Sequence, residues 1–214
     1  HVLPDDGRVE WPGKATVGYL DQQSTLQKGL TIREVLHTAF DTLYAKEQQM
    51  LDYYEKMGDA SPEEMDKMMN AVGEIQTELE HAGFYSLDSK IEEFANGLGL
   101  GGVGLDKDVS ELSGGQRSKV LLTKLLLQNA QILLLDEPTN YLDVEHIEWL
   151  TKFLQNYEHA FILISHDVPF LNNVCNVIYH LENCELTRYT GNYDKFQEMY
   201  LSLIHISEPT RRVV

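Results

Sequence analysis

Residues 131–143, QILLLDEPTNYLD, place two adjacent carboxylates directly after an unbroken apolar run. The absence of polar alternation over residues 132–135 is typical of a strand buried on both faces of a parallel sheet. Asp136 and Glu137 would then lie at the carboxyl edge of the sheet, where open α/β sheets bind their ligands. One carboxylate there can hold a divalent cation, and another can accept a proton from water. Taken alone, the pattern also fits a core strand that ends in a solvated acidic turn.

A second segment with phosphate-binding character lies upstream. Residues 112–116 read LSGGQ and begin a strongly apolar helix predicted over Val120–Leu127. The two glycines allow backbone N–H groups to approach a phosphate closely, and the helix N-terminus adds a partial positive charge. The hydroxyl of Ser113 is a further donor. The segment therefore predicts a phosphate-binding helix start ahead of the acidic strand.

The elements after Leu112 alternate between helix and strand, which favours an α/β fold whose parallel sheet is covered by helices. The remaining predicted elements in this part are a helix over 144–157, a strand over 161–164, a short helix over 168–174, and a closing antiparallel hairpin over 177–181 and 186–189. Near the beginning of the chain, short strands are predicted over 9–11 and 15–20, joined by a turn through Pro12 and Gly13.

A mostly helical, acidic insert is predicted between about Gly29 and Glu111. Thr31 and Glu34 have capping-box spacing, and one apolar face then continues through Ile32, Val35, Leu36, Ala39, Phe40 and Leu43. Gly58–Pro62 breaks this pattern. Ser61 and Glu64 begin a second helix that runs to about His81, and a third spans 87–95. Helical hairpins of this kind serve as packing or contact surfaces.

The glycines between 97 and 104 fit the GxGxxG pattern in two frames. A dinucleotide fingerprint should follow a strand and begin a helix, whereas here a helix precedes the glycines and a loop follows. The sequence therefore predicts a flexible loop. The chain contains no GxxxxGK[ST] phosphate loop.

The bulk composition excludes several classes of partner. The net charge of −17 argues against a nucleic-acid or anionic-membrane surface. The two cysteines, Cys175 and Cys184, form neither a disulfide framework nor a metal-ligand pattern. The apolar runs are much shorter than the roughly 20 residues that span a bilayer. We expect a soluble, cytoplasmic α/β protein without a signal peptide.

Both ends of the sequence predict that it is not a natural full-length chain. It begins with His1 rather than Met, and residues 201–211 read LSLIHISEPTR. The latter resembles the translation of a transposase adapter from sequencing libraries. We therefore expect the natural sequence to stop near Tyr200 and residues 201–214 to be a non-native tail.

The motifs in this order resemble the ATP-binding cassette (ABC) ATPases, whose signature is LSGGQ and whose Walker B strand is similar to residues 132–137. The resemblance implies an ATPase with a P-loop NTPase-like sheet core, ATP and Mg²⁺ as cofactors, and an inserted helical subdomain. Asp136 would hold Mg²⁺ through water, and Glu137 would orient or deprotonate the attacking water. His166, in the segment ISHD, is similar to the switch histidine of the family.

The remaining site residues also follow from the resemblance. Gln22 is similar to the Q-loop glutamine, which serves both catalysis and the metal, and Gln23 is the alternative. Residues 140–143 are similar to the D-loop. The implied nucleotide-binding residues are Ser113, Gly114, Gly115, Gln116 and Asp143. The implied division is a core over 1–29 and 112–200, with a helical subdomain over 30–111.

One departure from the family is the missing Walker A loop. The opening HVLPDDG resembles the segment that follows the Walker A helix, so truncation explains the gap better than a degenerate site. In the family, the signature of one domain also completes the ATP site of another. We therefore expect this chain alone neither to bind ATP tightly nor to hydrolyse it.

Three features point to the ABC-F branch of the family. DEPTNYLD is close to the DEPTNHLD form of that branch, and residues 189–193 resemble the YxGNY segment that closes its first cassette. The long helical insert is also similar. Membership implies a cytosolic ATPase with a second cassette on the same chain that acts on the ribosome, through rRNA and tRNA, without a membrane partner. The competing readings are a transporter's nucleotide-binding subunit and a non-hydrolysing structural module.

Overall fold

The computed structural model describes residue 13, residues 15–20 and residues 26–207, with side chains up to residue 202. The predicted strand over 9–11, and both Gln22 and Gln23, lie outside the described residues. The strands are β1 (Val17–Tyr19), β2 (Ile132–Asp136), β3 (Ala160–Ile164), β4 (Val177–Glu182) and β5 (Glu185–Thr190). The helices are α1 (Ile32–His37), α2 (Asp41–Met57), α3 (Pro62–His81), α4 (Leu87–Gly97), α5 (Gly114–Leu127), α6 (Val144–Gln155), α7 (Val168–Val174) and α8 (Tyr193–Ser207).

The central sheet has the order β1-β2-β3, and both strand pairs are parallel. This arrangement confirms the predicted α/β fold with a parallel sheet. Tyr19 lies opposite Leu134, and Asp136 lies opposite Ile164. Because parallel strands end at the same edge, the segments that follow β2 and β3 leave the sheet side by side.

Helices cover one face of this sheet. Leu133 and Leu135 of β2 are buried on that face, where the side chain of Leu125 from α5 lies against Gly18 of β1. A side chain at residue 18 would lie 2.6 Å from Leu125 Cδ1, so this glycine permits close contact between helix and strand. Two residues of the apolar run of β2, Leu133 and Leu135, thus belong to the buried core.

The opposite face of the sheet is largely exposed. Tyr19, Ile162 and Ile164 are each about 60% exposed, and a groove of about 1220 Å³ lies between β3 and the residues of β4 and α8 that line its other side. The prediction that β2 is buried on both faces is therefore wrong within the described part of the chain. Its residues alternate between buried and half-buried because no described helix covers this second face.

The helical insert follows the predicted pattern with one interruption. The capping boxes at Thr31 and Ser61 are both present, and α3 ends at His81 as predicted. The helix that carries the predicted apolar face is interrupted, because α1 ends at His37 and a 3₁₀ turn separates it from α2. The apolar face itself continues as predicted, since Phe40 lies in the core and Leu43 packs against it. The Thr38 hydroxyl donates a hydrogen bond to the carbonyl oxygen of Val35 (2.6 Å), a local bond that competes with regular helix.

Helices α2 and α3 form a hairpin joined by a short turn at Gly58. Val72, Ile75 and Leu79 bury one side of α3, whereas α2 has no fully buried residue. Lys46 of α2 forms an ion pair with Glu78 of α3. The hairpin is therefore held together by contacts between α2 and α3 and by a surface ion pair. Its end near the turn is exposed to solvent.

A single apolar core joins the insert to the sheet. It runs from Ile32 of α1 through α4 and α5 to Phe170 of α7. Helix α5 contacts α1 and α4, and its Leu125 lies against Gly18 of the sheet. The division of the chain into a core and a helical subdomain remains a prediction.

The closing hairpin is antiparallel, as predicted, with Val177 opposite Thr190. Asn183 and Cys184 form its two-residue turn, and both have positive φ angles of 50° and 64°. Such angles are typical of the turns whose twist matches a hairpin.

Among the described residues, we find no helix with the length and apolar character that a membrane span requires.

Candidate active site

Glu137 is held at the carboxyl edge of the sheet by the backbone of the neighbouring strand. Its N–H donates a hydrogen bond to the carbonyl oxygen of Ile164, the last residue of β3 (2.8 Å). Asp136 is half-buried at the end of β2, one residue before. The pairing of β2 with β3 therefore places the two carboxylates side by side in sequence at the carboxyl edge of the sheet, which is the position that the sequence predicts.

The backbone of Glu137 adopts an uncommon conformation. Its φ angle is +46°, a left-handed value that is uncommon for residues other than glycine. The turn that follows is closed by a hydrogen bond from the N–H of Asn140 to the carbonyl oxygen of Glu137 (3.2 Å). Such conformations cost about 1–3 kcal/mol and cluster at functional sites. The turn thus directs the Glu137 side chain in a way that a regular strand end would not.

The Glu137 carboxylate contacts His166, the candidate switch histidine. Nδ1 of His166 lies 2.8 Å from Oε2 of Glu137, and this oxygen is shielded from solvent. The contact is an ion pair when the imidazole is protonated. The contact and the charge of Glu137, with a smaller contribution from Asp167, raise the pKa of His166. The two predicted catalytic side chains therefore meet.

Ser113 begins α5 in a reciprocal cap. Its hydroxyl accepts a hydrogen bond from the N–H of Gln116 (3.3 Å), and the Gln116 side-chain oxygen accepts one from the N–H of Ser113 (3.0 Å). Leu112 is buried just before, whereas Ser113 and Gly114 are exposed. Because Leu112 is buried, the start of α5 is held in place while Ser113 and Gly114 face solvent. An anion that binds there would replace the capping hydrogen bonds between Ser113 and Gln116.

Asp143 occupies the corresponding position before α6. Its carbonyl oxygen accepts the first hydrogen bonds of the helix, from the N–H groups of His146 and Ile147. Its side chain makes no capping hydrogen bond and is 80% exposed. The carboxylate is therefore directed to solvent at a helix start.

The segment 140–143 also contacts the start of α5, a contact that the sequence analysis missed. A Cβ at Gly115 would lie 3.1 Å from Cδ1 of Tyr141, so the tyrosine ring lies against the backbone of the helix start. A small cavity of about 20 Å³ beside this contact is lined by Tyr141, Glu137 and Ser118, among others. The residues on α5 and on the acidic turn thus form one continuous site. Nothing in the spacing of the sequence indicates this long-range contact.

The glycine cluster is packed more tightly than the predicted flexible loop. Gly97 is the last residue of α4, and a side chain there would collide with the indole ring of Trp149. Gly99 has a φ angle of +77°, and a side chain there would collide with the imidazole of His146. The prediction of a flexible loop is wrong for these two glycines. Side chains of α6 approach both positions so closely that only a residue without a side chain fits there.

The donor set at the sheet edge fits a magnesium ion that is shared with a phosphate ligand. The described residues contain no group of three or more His, Cys, Asp or Glu that could hold a metal by itself. Mg²⁺ is usually bound through one or two carboxylates, with water and phosphate oxygens completing its shell. Asp136 and Glu137 at the end of β2 meet that requirement, whereas a site made of protein ligands alone would need more.

The candidate site thus combines a parallel sheet, two carboxylates and a histidine at its carboxyl edge, and a glycine-rich helix start. Solved structures agree at the level of the fold. The archaeal ribosome recycling factor aABCE1, in complex with the ribosomal stalk protein aP1, matches 94% of this chain and 32% of its own, with a TM-score of 0.58 and 22% identity. An ATP-binding subunit of an ABC transporter matches 89% of this chain and 67% of its own, with a TM-score of 0.56 and 16% identity. The fold is that of ABC ATPase domains.

The profile of the family described as ABC transporter matches residues 4–140. This chain therefore belongs to the ABC transporter family of ATP-binding domains. It is 60% identical over 197 residues to the uncharacterized ABC transporter ATP-binding protein YfmM of Bacillus subtilis, covering 92% of this chain and 38% of the relative. It is 35% identical over 195 residues to the energy-dependent translational throttle protein EttA of Mycobacterium tuberculosis, covering 91% and 34%. The chain thus spans about a third of the length of these relatives.

Proposed function

We propose that this chain is the greater part of the first ATP-binding cassette of an ABC-F type protein, which hydrolyses ATP to ADP and phosphate and acts on the ribosome. The observation that carries the proposal is the contact between Glu137 and His166 at the carboxyl edge of the sheet. This contact joins a general base and a hydrogen-bond donor beside a second carboxylate, Asp136. ATP hydrolysis needs these groups in one place.

The roles of the residues follow from the demands of phosphoryl transfer, in which positioning and charge neutralisation matter most. Asp136 would hold Mg²⁺, which supplies charge neutralisation at the phosphate oxygens when bound. Glu137 would accept a proton from the attacking water, and His166 would donate a hydrogen bond to the γ-phosphate. Since the Glu137 carboxylate currently binds the His166 imidazole, this contact must loosen when nucleotide and water enter. Gln22 is proposed to contact the metal and the attacking water.

Residues 113–116 and Asp143 would contact a nucleotide held mainly by another cassette. Ser113 and Gly114 are exposed at a rigid helix start, and the Asp143 side chain faces solvent. Groups that are directed outward from a rigid fold suit a ligand shared between two surfaces. We therefore propose a second cassette on the same natural chain as the partner.

The phosphate loop is proposed to lie on a preceding segment of the natural protein. The sequence has no GxxxxGK[ST] motif, and one face of the sheet exposes Tyr19, Ile162 and Ile164. A strand and helix from such a segment would cover this apolar face. Without them, the chain is proposed to have no measurable ATPase activity.

The ABC-F assignment rests on the DEPTNYLD motif, on the long helical insert and on the similarity to EttA, whose name describes a translational throttle. The acidic charge of −17 makes direct RNA binding by this chain unfavourable. We therefore propose that a more basic part of the natural protein supplies the contacts with rRNA and tRNA, in the cytoplasm.

The test is a chimaera in which this chain replaces the matching 197 residues of YfmM. We expect ATP hydrolysis by the chimaera, a loss of about 100-fold or more with Glu137→Gln, and no hydrolysis by this chain alone. A Glu158→Gln variant is the matched control, because it removes an exposed carboxylate away from the site. Hydrolysis by the isolated chain that Glu137→Gln abolishes would overturn the proposed need for a preceding segment and a second cassette.

Ribosome association is tested separately by sedimenting the Glu137→Gln chimaera with purified 70S ribosomes over a range of salt concentrations. We expect ATP-dependent co-sedimentation that weakens as salt increases. The alternative is a transporter's nucleotide-binding subunit, which the likeness to a transporter ATP-binding subunit favours at the level of the fold. That alternative predicts no ribosome binding and association with a membrane fraction instead.

A further inference from the structure

Tyr141 occupies a position that its residue type does not favour. Its φ angle is +68°, in the left-handed region where asparagine, aspartate and histidine are enriched and bulky residues are outliers. Its side chain is 65% exposed, so burial of the ring does not offset the strain. The conformation is retained by its neighbours, since the N–H of Leu142 donates to the carbonyl oxygen of Thr139 (3.1 Å), and Thr139 is buried.

The ring of Tyr141 makes one specific contact, with the first turn of α5. Three of its atoms, Cδ1, Cβ and Cγ, would lie 3.1–3.3 Å from a Cβ at Gly115. Gly115 is therefore the residue that allows the ring to lie against the helix backbone. No hydrogen bond of the Tyr141 hydroxyl occurs among the described residues, so the ring contacts the helix backbone through van der Waals packing.

The same turn carries Glu137. Both Glu137 and Tyr141 have positive φ angles, and they bracket the three residues between them. The two side chains also line the same cavity of about 20 Å³, together with Ser118 of α5. Because the cavity has room for at most about one water molecule, the Tyr141 ring and Glu137 lie close together on this side.

We propose that Tyr141 is a positioning residue, whose ring, packed on Gly115, fixes the turn that carries Glu137 relative to the start of α5. The ring acts through Glu137 and makes no contact with the reacting atoms. This inference rests on the proposed ATPase function. Residue 141 is the position at which this chain has tyrosine and the DEPTNHLD motif has histidine. The proposal gives the larger tyrosine ring a role in positioning the turn.

The kinetic test compares three substitutions in the YfmM chimaera. Tyr141→Asn removes the ring but suits the left-handed backbone, so it separates packing from strain. We expect kcat for ATP to fall about tenfold in Tyr141→Asn and Tyr141→Ala, with KM unchanged, because misplacement of a catalytic group acts on the chemical step. Tyr141→Phe keeps the ring and should restore kcat to within about twofold. Tyr85→Ala, at a tyrosine that is 66% exposed, is the matched control.

Two kinetic outcomes would overturn the proposal. Wild-type kcat in Tyr141→Asn would show that the ring is dispensable. Equal losses in Tyr141→Phe and Tyr141→Asn would show that the hydroxyl matters rather than the packing. If the unsubstituted chimaera does not hydrolyse ATP, the proposed function has failed, and the coupling is tested by structure alone.

That structural test is hydrogen exchange on the present chain. The N–H of Arg117 donates to the carbonyl oxygen of Ser113 (2.9 Å), in the turn that the Tyr141 ring covers. We expect the amides of residues 117–121 to exchange at least about threefold faster in Tyr141→Asn than in the wild type, and at the wild-type rate in Tyr141→Phe and Tyr85→Ala. Unchanged exchange in Tyr141→Asn would overturn the coupling between the ring and α5, whatever the ATPase result.

Discussion

The indole ring of Trp149 occupies the space that a side chain at Gly97 would need. Gly97 ends α4 of the helical insert, and Trp149 lies in α6, which follows the acidic turn. The ring also packs edge-on against Phe94 and stacks on Phe153. One missing side chain thus allows the insert and the sheet-covering helix to meet through an aromatic cluster.

Gly97→Ala should destabilise the chain, because the added methyl group must displace the ring of Trp149. We expect a decrease of about 1–3 kcal/mol in the free energy of unfolding, measured by urea denaturation. Gly102→Ala is the control, since a side chain there would meet nothing within 4 Å. Equal stability of the two variants would mean that the tryptophan moves aside without cost.

Glu137→Gln should lower the pKa of His166 toward its ordinary value, because the contact and charge that raise it are removed. NMR titration of the imidazole in this chain measures the change. Glu158→Gln is expected to leave the His166 pKa unaltered. An unchanged pKa in the Glu137→Gln variant would show that the two side chains do not interact in solution.

The same pair predicts the direction of a stability effect. A histidine whose pKa is raised in the folded state stabilises the fold below its unfolded pKa, and that contribution disappears as pH rises through the folded pKa. The stability of the wild type relative to Glu137→Gln should therefore decrease from about pH 6 to pH 8. Urea denaturation at several pH values, at constant ionic strength, tests this. A difference that increases with pH would contradict the ion pair.

The two faces of the sheet should respond differently to substitution. Leu133 is fully buried, so Leu133→Ala is expected to cost about 2–5 kcal/mol. Ile162 is 62% exposed, and Ile162→Thr, which keeps the branched β-carbon, should change stability by less than about 0.5 kcal/mol. Both values come from urea denaturation of this chain. A large cost at Ile162 would mean that the outer face is covered in solution.

The two cysteines should differ in their rate of alkylation. Burial raises the pKa of the Cys175 thiol, whereas Cys184 is exposed in the hairpin turn. Since the thiolate is the nucleophile, we expect iodoacetamide to modify Cys184 at least about tenfold faster at pH 8. Mass spectrometry of peptides after timed quenching gives both rates. Equal rates would indicate that the region around Cys175 opens readily.

Sequence patterns predicted the features that depend on neighbours along the chain. The capping boxes at Thr31 and Ser61 each involve residues three positions apart, and both are present. The bounds of β2 and α3 also agree, because hydrophobic periodicity and local breakers determine them. The placement of Asp136 and Glu137 followed from one further rule, that ligands bind at the carboxyl edge of parallel strands.

Features that depend on distant contacts were missed or misjudged. The approach of Tyr141 to Gly115 and of Trp149 to Gly97 joins residues far apart in sequence, and a glycine does not reveal whether it serves a turn or close packing. The sequence predicts that the exposed face of the sheet is buried. An apolar run shows that a strand can be packed on both faces, but not whether another element covers each face. The left-handed φ of Glu137 has no signal in its residue type.

The pairing of β1 with β2 has a consequence for synthesis of the protein. The N–H of Gln131 donates to the hydroxyl of Thr16, a contact between residues 115 positions apart. Closing such a loop from an open chain costs about 4 kcal/mol in entropy, with a further constant. At roughly 5–20 residues per second, β1 waits roughly 6–23 s for its partner to be translated. We therefore expect the helical insert, whose contacts are more local, to fold first and so to shorten the distance that the strand must later bridge.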